Sequence, residues 1–296
     1  MLKNISDNKE KYFSPELILS RKLRILNDNE ILKIDQSYRL SVFFQIKRKI
    51  KLLLNYLFSV ILRKNINLVT SRSLNKVKKK YDNIAGLYTE EFKKKDSKFL
   101  IQFKNEVLEC SGSIKQYYAY CLSNIIQNLN LKTILEVGAG ELTQYFLIKK
   151  DLDKKNYKIE RSCGLDLSLK RLEVGKKFLN SENQEIEIYQ GDAQKMPFKD
   201  NEFDILYTVH CLEQVPHLLE TCLKEMLRVS KKYIVLVEPS YEFTNKITRN
   251  HIFRKNYIKI NNKVLTKILK DIKYKRFKMP IFQYINGAEL IIIEKN

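Results

Sequence analysis

The sequence predicts an α/β fold with a mostly parallel sheet that helices cover on both faces. From Leu131 onward, short β-rich runs alternate with helical segments, which is typical of such a sheet. A turn with two glycines follows the first predicted strand, Thr133–Val137. Asp166 and Asp192 come directly after the second and third strands. Glycines and carboxylates at the carboxyl ends of parallel strands are where folds of this kind bind ligands.

The elements of this region follow one another in a regular order. After Thr133–Val137, the predicted strands are Ser162–Leu165, Glu185–Gln190, Asp204–Val209 and Tyr233–Val237. The predicted helices are Leu142–Lys149, Ser168–Leu179, His217–Val229 and Ile258–Ile272. Two last strands, Tyr274–Met279 and Ala288–Glu294, are close enough in sequence to pair antiparallel.

The net charge of +21 is concentrated in the two flanks of the chain. Residues 1–80 contain 19 Lys or Arg and 6 Asp or Glu, and residues 241–296 contain 13 and 4. Residues 131–240 contain 17 and 18, so a uniform bias toward lysine does not explain the basic flanks. Basic flanks beside a neutral centre indicate an anionic substrate or an anionic surface as partner.

The N-terminal flank contains a predicted amphipathic helix at Leu40–Arg63. Its apolar residues recur at steps of three and four, at Phe43, Ile46, Ile50, Leu53, Leu57 and Ile61. Lysines and arginines interrupt the apolar stretch, which is too short to span a bilayer. The helix can pack on the main domain or on a partner subunit, or it can lie on an anionic membrane.

We divide the chain into a basic helical extension (1–80), a helical lid or substrate region (81–130) and the α/β domain (131–296).

The N-terminal sequence and the cysteine spacing indicate the cellular compartment and whether a metal site is expected. No N-terminal stretch combines the basic start, apolar core and cleavage site of a secretory signal. The cysteines are scattered without a C-x-x-C pair, at Cys110, Cys121, Cys163, Cys211 and Cys222. This spacing favours reduced thiols over disulfides or a zinc site. We therefore expect a cytoplasmic protein without a metal site.

The first candidate ligand-binding segment contains Glu136, Gly138, Ala139 and Gly140, at the end of the first strand. Glycines let the backbone turn sharply and come close to a ligand. A dinucleotide-binding turn would carry a third glycine where Thr143 stands, which counts against NAD. An acidic residue two positions before the first glycine suits a ligand with an ammonium group and a sulfonium.

Two further segments carry candidate ligand groups. Asp166, at the tip of the second strand, can accept hydrogen bonds from both hydroxyls of a ribose, although an aspartate there could also be a surface residue. Ser168 can cap the helix that follows. Asp192, past the third strand, can accept a hydrogen bond from an adenine amino group, and Ala193 offers an apolar contact to the ring.

In their order, the segments EVGAG, GLDLS, GDAQKMPF, NEFDILYTVHCLEQVPH and MLRVSKKYIVLVEP resemble the motifs of the class I S-adenosylmethionine (SAM)-dependent methyltransferases. The resemblance covers residues 131–240 and is strongest to the type 11 branch, which includes the ubiquinone/menaquinone C-methyltransferases. It implies a Rossmann-like sheet of seven strands with an antiparallel last strand, and SAM as the cofactor. Tyr81–Tyr88 resembles the helix that lids the cofactor in that branch. Leu142 departs from the pattern, because it replaces the usual third glycine.

The resemblance also implies roles for individual residues. The methionine part of SAM would lie against the first glycine turn, the ribose at the second strand and the adenine past the third. The residues concerned are Glu136, Gly138, Ala139 and Gly140, then Asp166 and Leu167, then Asp192 and Ala193. His210 would lie at the tip of the fourth strand, beside the methyl group.

His210 is also a candidate general base, and Glu213 is a second one. The alternative is that His210 only lines the pocket. The tip of the fourth strand lacks the Asn/Asp-Pro-Pro-aromatic sequence of enzymes that methylate adenine or glutamine amino groups. We therefore expect a small or lipid-linked anionic acceptor, with peripheral association at the inner membrane face. An RNA methyltransferase and a non-catalytic SAM-binding partner subunit remain as alternatives.

Overall fold

The computed structural model describes residues 2–14, 19–37, 73–94, 97–103, 105–244, 262–280 and 288–295, with the single positions 46, 50, 53, 54, 57, 249, 252 and 260. The predicted amphipathic helix Leu40–Arg63 lies outside the described residues except at five of these positions. Those five are helical with exposed side chains: Ile46, Ile50, Leu53, Leu54 and Leu57. No helix within the described ranges is both long and apolar enough to cross a bilayer.

The described strands form two sheets. The smaller sheet consists of β1 (Lys22–Ile25), β2 (Lys98–Phe103) and β3 (Glu106–Ser111), in the order β1-β3-β2. The larger sheet consists of β4 (Thr133–Val137), β5 (Arg161–Asp166), β6 (Glu187–Gln190), β7 (Phe203–Val209), β8 (Ser230–Pro239), β9 (Lys273–Lys278) and β10 (Ala288–Glu294). All seven predicted strands of the α/β domain are therefore confirmed.

The larger sheet has the order β6-β5-β4-β7-β8-β10-β9. Strands β4 to β8 are parallel, and β10 runs antiparallel to both β8 and β9, so the predicted antiparallel last strand is confirmed. The chain builds outward from β4 to β6 and then returns to place β7 on the other side of β4. The order reverses between β4 and β7, and open α/β sheets bind ligands at such a reversal.

Ten α-helices lie in the described ranges. They are α1 (Leu2–Asp7), α2 (Lys9–Phe13), α3 (Asp28–Ser37), α4 (Leu74–Asn83), α5 (Leu87–Lys93), α6 (Lys115–Asn128), α7 (Thr143–Lys154), α8 (Leu169–Ser181), α9 (Leu219–Val229) and α10 (Asn262–Leu269). Leu142 precedes α7 with a φ of 57°, so the residue that replaces the usual glycine adopts the left-handed conformation that glycine favours.

Alternate side chains of the sheet enter two separate cores, because successive residues of a strand point to opposite faces. Ile134 and Ile205 lie in the core that helices α6, α7 and α8 cover. Their neighbours Leu135 and Leu206 lie in the core that helices α9 and α10 cover. All four are at most 1% exposed. Burial on both faces explains why these strands are apolar without alternation.

The helical prediction for residues 81–130 is wrong for the segment that forms β2 and β3. These strands pair antiparallel, with Lys98 opposite Ser111 and Phe103 opposite Glu106. Phe99 and Ile101 are buried in the core beneath α6, while Lys98, Leu100 and Gln102 are less buried. That period of two is the signature of a half-buried strand, and it outweighs the helical propensity of the surrounding segments.

Candidate active site

A cavity of about 650 Å³ lies where strands β4, β5 and β7 end. It therefore lies at the reversal of strand order. Every predicted ligand-binding or catalytic residue lines it: Glu136, Gly138, Ala139, Gly140, Asp166, Leu167, Asp192, Ala193, His210 and Glu213. Residues from four separate segments of the sequence thus meet in one place.

The glycine turn is held in place by the neighbouring strand. Gly138 and Gly140 have φ angles of 76° and 54°, which side chains disfavour. The N–H groups of Gly138 and Ala139 both donate to the Leu165 carbonyl, at 2.7 and 3.0 Å. A Cβ on Gly140 would lie 2.7 Å from Cζ of Arg171. The missing side chain of Gly140 therefore makes room for a guanidinium as well as for a ligand.

Asp166 and Asp192 form the polar wall of the cavity. Asp166 accepts hydrogen bonds from the N–H groups of Gly140 and Ser168, at 2.9 and 2.8 Å. Asp192 accepts two from Gln194, one from its backbone N–H and one from its side-chain amide, both at 2.9 Å. These bonds fix the two carboxylates, and each oxygen still has a second lone pair for a ligand.

Glu136 is a buried carboxyl group at the end of β4. It is 3% exposed, and the Tyr207 hydroxyl donates to its Oε2 at 3.2 Å. Burial raises the pKa of Glu136 to about 8, although the hydrogen bond from Tyr207 and the charge of Lys115 oppose the shift. A cation placed beside this group would lower its pKa and restore the carboxylate.

The structure joins the two candidate bases into one pair. Nδ1 of His210 lies 3.0 Å from Oε2 of Glu213, and Nε2 lies 3.3 Å from the Tyr118 hydroxyl. Burial lowers the pKa of His210, but the charge and hydrogen bond of Glu213 and the charge of Glu238 outweigh it, so the net pKa is raised. His210 has a φ of 54°, an unusual conformation that aims its ring into the cavity and that the surrounding structure must hold.

Glu238, at the end of β8, provides that support. Its carboxylate accepts three backbone hydrogen bonds, from the N–H groups of Cys211, Leu212 and Glu213, at 3.0 to 3.1 Å. The side chain is fully buried, and burial raises the pKa of Glu238 to about 7. These three bonds cap the short 3₁₀ turn Leu212–Gln214, which carries Glu213 to His210.

A second buried carboxylate fastens the predicted lid to the glycine turn. Glu141, 2% exposed, accepts a hydrogen bond from the Gly86 N–H at 3.1 Å. It also accepts from the N–H and the hydroxyl of Thr89, both at 2.7 Å. A carboxylate at the first turn of α5 satisfies N–H groups that the helix leaves unpaired and complements the helix dipole.

The predicted lid segment Tyr81–Tyr88 contributes residues to the cavity lining and has two more attachments. The Arg171 guanidinium lies 4.9 Å from the ring centroid of Tyr81 and 4.8 Å from that of Tyr88. The hydroxyl of Ser168 donates to Asp82 at 2.6 Å. The same hydroxyl accepts the N–H of Arg171, so the predicted helix cap at Ser168 is confirmed.

Sequence reasoning missed five residues of this site: Lys115, Tyr118, Glu141, Arg171 and Glu238. Only Glu238 lies at the end of a predicted strand within a recognised motif. It directly follows the buried run at Tyr233–Val237. A charged residue that directly continues an apolar strand was a usable signal there. Glu141 directly follows the glycine turn, so its position was a usable signal as well. Lys115, Tyr118 and Arg171 reach the site through the packing of helices α6 and α8, for which the sequence carries no comparable signal.

The cysteines lie mostly in the interior of the protein. All five belong to the described residues, and Cys110, Cys121, Cys163 and Cys222 are buried. Burial raises the pKa of the Cys222 thiol to about 12, which makes it unreactive near neutral pH. Within the described ranges, no group of three or more His, Cys, Asp or Glu side chains is placed to hold a metal ion.

Comparison with known proteins finds a family match in the central segment of the chain. Residues 135–236 match the family model described as a methyltransferase domain. The demethylmenaquinone methyltransferase of Staphylococcus saprophyticus is 42% identical over 83 residues, which are 27% of this chain and 35% of that protein. The enzyme of the same name from Lactococcus lactis is 34% identical over 116 residues, 38% of this chain and 45% of its own. The matched segments thus span less than half of these relatives.

Among solved structures, the cyclase SpnF shares the fold. The two chains are 13% identical, with a TM-score of 0.54, and the match covers 76% of this chain and 97% of SpnF. Likeness at this identity concerns architecture and carries no chemistry. Residues 135–236 thus match the model of a methyltransferase domain, and the chain resembles the class I SAM-dependent methyltransferases in its Rossmann-like sheet and in the order of its motifs.

Proposed function

We propose that this chain binds SAM in the cavity and transfers its methyl group to a small or lipid-linked, anionic acceptor. The observation that carries the proposal is the convergence of all ten predicted site residues on one cavity at the reversal of strand order. The match of residues 135–236 to the model of a methyltransferase domain supports it, and so do similar proteins that are named methyltransferases.

The residues of the cavity fit the chemical groups of SAM. Glu136 is a buried carboxyl group, and a neighbouring cation such as an ammonium group would stabilise its ionised form. Asp166 keeps lone pairs for ribose hydroxyls, and Asp192 with Ala193 borders the space for the adenine. When bound, SAM supplies an activated methyl group on a sulfonium. The chain has to align the acceptor with that methyl group and remove a proton from it.

We assign the proton removal to His210, with Glu213 as the residue that orients it. A carboxylate only accepts hydrogen bonds, so Nδ1 of His210 carries the proton toward Glu213 and Nε2 stays available as a base. Glu213 also stabilises the imidazolium that forms after proton transfer. This pairing favours the base role over the alternative in which His210 only lines the pocket.

Calorimetric titration with S-adenosylhomocysteine, with NADH as the control ligand, tests the cofactor assignment. We expect micromolar binding of S-adenosylhomocysteine alone. Binding of NADH instead would contradict the proposal, as would the absence of binding to a folded protein. Cofactor binding without turnover on any acceptor would favour the non-catalytic partner subunit.

Binding of S-adenosylhomocysteine should release a proton through Glu136. Because its pKa is raised to about 8, this group is protonated in the free protein at pH 7, and an incoming ammonium group favours the carboxylate. Affinity should therefore rise by up to about tenfold per pH unit toward pH 8 and level off above it. Titrations at pH 7 in two buffers of different ionisation enthalpy count the released protons.

The Glu136→Gln variant is the control for this linkage, since Lys115 also has its pKa moved to about 8. We expect the variant to bind more weakly and without proton release from this position. An unchanged proton count in Glu136→Gln would assign the linkage to another group and contradict the role of Glu136.

We further propose that the basic N-terminal flank binds an anionic membrane surface. The matched relatives are named for the quinone demethylmenaquinone. The described positions of the flank helix expose Ile46, Ile50, Leu53 and Leu57, which recur at steps of four, three and four and so share a face. An exposed apolar stripe within a segment of 19 basic and 6 acidic residues suits the interface of an anionic bilayer.

Sedimentation with liposomes tests this association. The protein should pellet with anionic vesicles at low salt and remain in solution with neutral ones. The double variant Ile50→Ser, Leu53→Ser should lose most of the pelleting. The matched control, Leu23→Ser with Ile25→Ser on exposed strand β1, should retain it. Equal pelleting of both variants would contradict the proposal. Steeply salt-dependent binding to RNA, without binding to vesicles, would favour the alternative of an RNA methyltransferase.

A further inference from the structure

The first turn of helix α6 presents two reactive side chains to the cavity. Lys115 and Tyr118 are three residues apart and therefore lie on the same side of the helix. Both line the cavity together with His210 and Glu213. None of the segments that resemble methyltransferase motifs contains either residue.

The Tyr118 hydroxyl is hydrogen-bonded to Nε2 of His210, the nitrogen that would act as the base. Because the Nδ1–H group donates a hydrogen bond to Glu213, Nε2 carries a lone pair, and the Tyr118 hydroxyl donates to it. Tyr118 is 1% exposed, and its ring centroid lies 5.8 Å from that of His210. A proton that leaves the acceptor can thus reach His210 through the oxygen of Tyr118.

Lys115 brings a positive charge to the same region. Its ammonium group donates to Thr143 Oγ1 at 2.7 Å, which is its one hydrogen-bond partner among the residues that the structure describes. Its charge opposes protonation of His210, so the two groups act on each other electrostatically. Burial and, to a smaller extent, the charge of Arg171 lower the pKa of Lys115 to about 8, so a bound anion would stabilise the ammonium form.

We infer that Lys115 and Tyr118 form the binding site for an ionisable hydroxyl of the acceptor, which assigns the acceptor to the enols and phenols. This inference rests on the proposed methyltransferase function and deepens it. A protonated amine would be repelled by Lys115 and Arg171, whereas an oxygen that becomes negative during the reaction gains from both.

In the proposed reaction, the proton of the acceptor moves to His210 by way of Tyr118. The acceptor hydroxyl gives its proton to the oxygen of Tyr118, while the proton of Tyr118 moves to Nε2 of His210, which becomes an imidazolium paired with Glu213. Lys115 holds the resulting oxyanion. The electron pair of that oxygen, or of a carbon conjugated with it, forms the bond to the methyl group. The carbon–sulfur bond breaks with its electron pair on sulfur, which leaves S-adenosylhomocysteine.

Spectrophotometric titration of bound 4-nitrophenol tests this site, because the phenolate absorbs visible light and the phenol does not. With S-adenosylhomocysteine present, the wild-type protein should lower the pKa of the bound probe by about one to three units, the usual effect of a close opposite charge. Lys115→Met should abolish the shift, and Lys115→Arg should keep most of it. Lys98→Met is the matched control, because Lys98 also borders the cavity but pairs with Glu109.

The outcomes separate this inference from the proposed function. The oxyanion site is overturned if the wild-type protein leaves the pKa of the probe unchanged, or if folded Lys115→Met shifts that pKa equally. In either case, binding of S-adenosylhomocysteine would still support the proposed methyltransferase function. A fall of more than about tenfold in S-adenosylhomocysteine affinity in Lys115→Met, with the probe shift intact, would assign Lys115 to the cofactor instead. Thermal unfolding of each variant establishes that it is folded.

Discussion

Replacement of His210 by alanine should lower kcat by about 10²–10⁴-fold, the usual contribution of a positioned general base. Binding of S-adenosylhomocysteine should change much less, because we assign cofactor binding mainly to the groups at the ends of β4, β5 and β6. The measurement is release of S-adenosylhomocysteine with a panel of enolic and phenolic acceptors. His217→Ala is the matched control: this exposed histidine lies outside the cavity lining and should leave kcat unchanged.

Glu213→Gln distinguishes a base from a residue that only aligns the acceptor. The base must be neutral, so activity rises as the pH passes the pKa of His210, which Glu213 raises above its ordinary value of 6.5. Loss of that carboxylate should move the rising limb of the pH–rate profile to lower pH. Nearly full turnover in His210→Ala would rule out the base role and leave alignment as the mechanism.

The second large effect is expected at Asp166. Asp166→Ala should weaken binding of S-adenosylhomocysteine by roughly 10–150-fold, because a lost hydrogen bond to a charged group costs about 1.5–3 kcal/mol. Part of this loss arises indirectly, since the carboxylate also fixes the N–H groups of Gly140 and Ser168. Calorimetry on the purified variant measures the change.

Two further variants separate the direct effect from the indirect one. Asp166→Asn keeps an oxygen that can accept a backbone hydrogen bond, so the glycine turn should stay ordered while ribose binding weakens. Asp200→Ala is the matched control for the loss of an acidic side chain, since its carboxylate is 71% exposed and pairs with Arg228. An unchanged dissociation constant in folded Asp166→Ala would remove the ribose assignment.

The sheet and its strand-end residues were predictable because local sequence determines them. Buried parallel strands are short apolar runs, and a glycine such as Gly138 is needed where the backbone turns with a positive φ. The convergence of Glu136, Asp166 and Asp192 followed from parallel topology alone, since the carboxyl ends of adjacent strands share one edge. Packing detail was not required for any of these predictions.

The small sheet was missed because its strands are short and lie between strong helical signals. The alternation that reveals β2 extends over only six residues, Lys98–Phe103. Its third strand, β1, comes from far away in the sequence, at Lys22–Ile25, and pairs with β3. Such non-local pairing leaves little trace in a window of neighbouring residues.

Lys115, Tyr118 and Arg171 were missed for a different reason. Their roles depend on how a helix is rotated and placed against the sheet, which the packing of whole elements determines. The position of Tyr118 beside His210, for example, connects residues 92 positions apart. A side chain of this kind reads in the sequence as an ordinary aromatic residue of a buried helix face.

Glu238 has a consequence for the C-terminal end of the chain. Its strand, β8, continues beyond the parallel core by pairing antiparallel with β10, where Glu238 lies opposite Glu289. The last strand of the fold thus borders the residue that caps the turn of His210 and Glu213. A deletion or a fusion that disturbs residues 288–294 would reach the reaction centre through β8 even though no residue of β10 lines the cavity. Affinity tags for this protein therefore belong at sites remote from that strand.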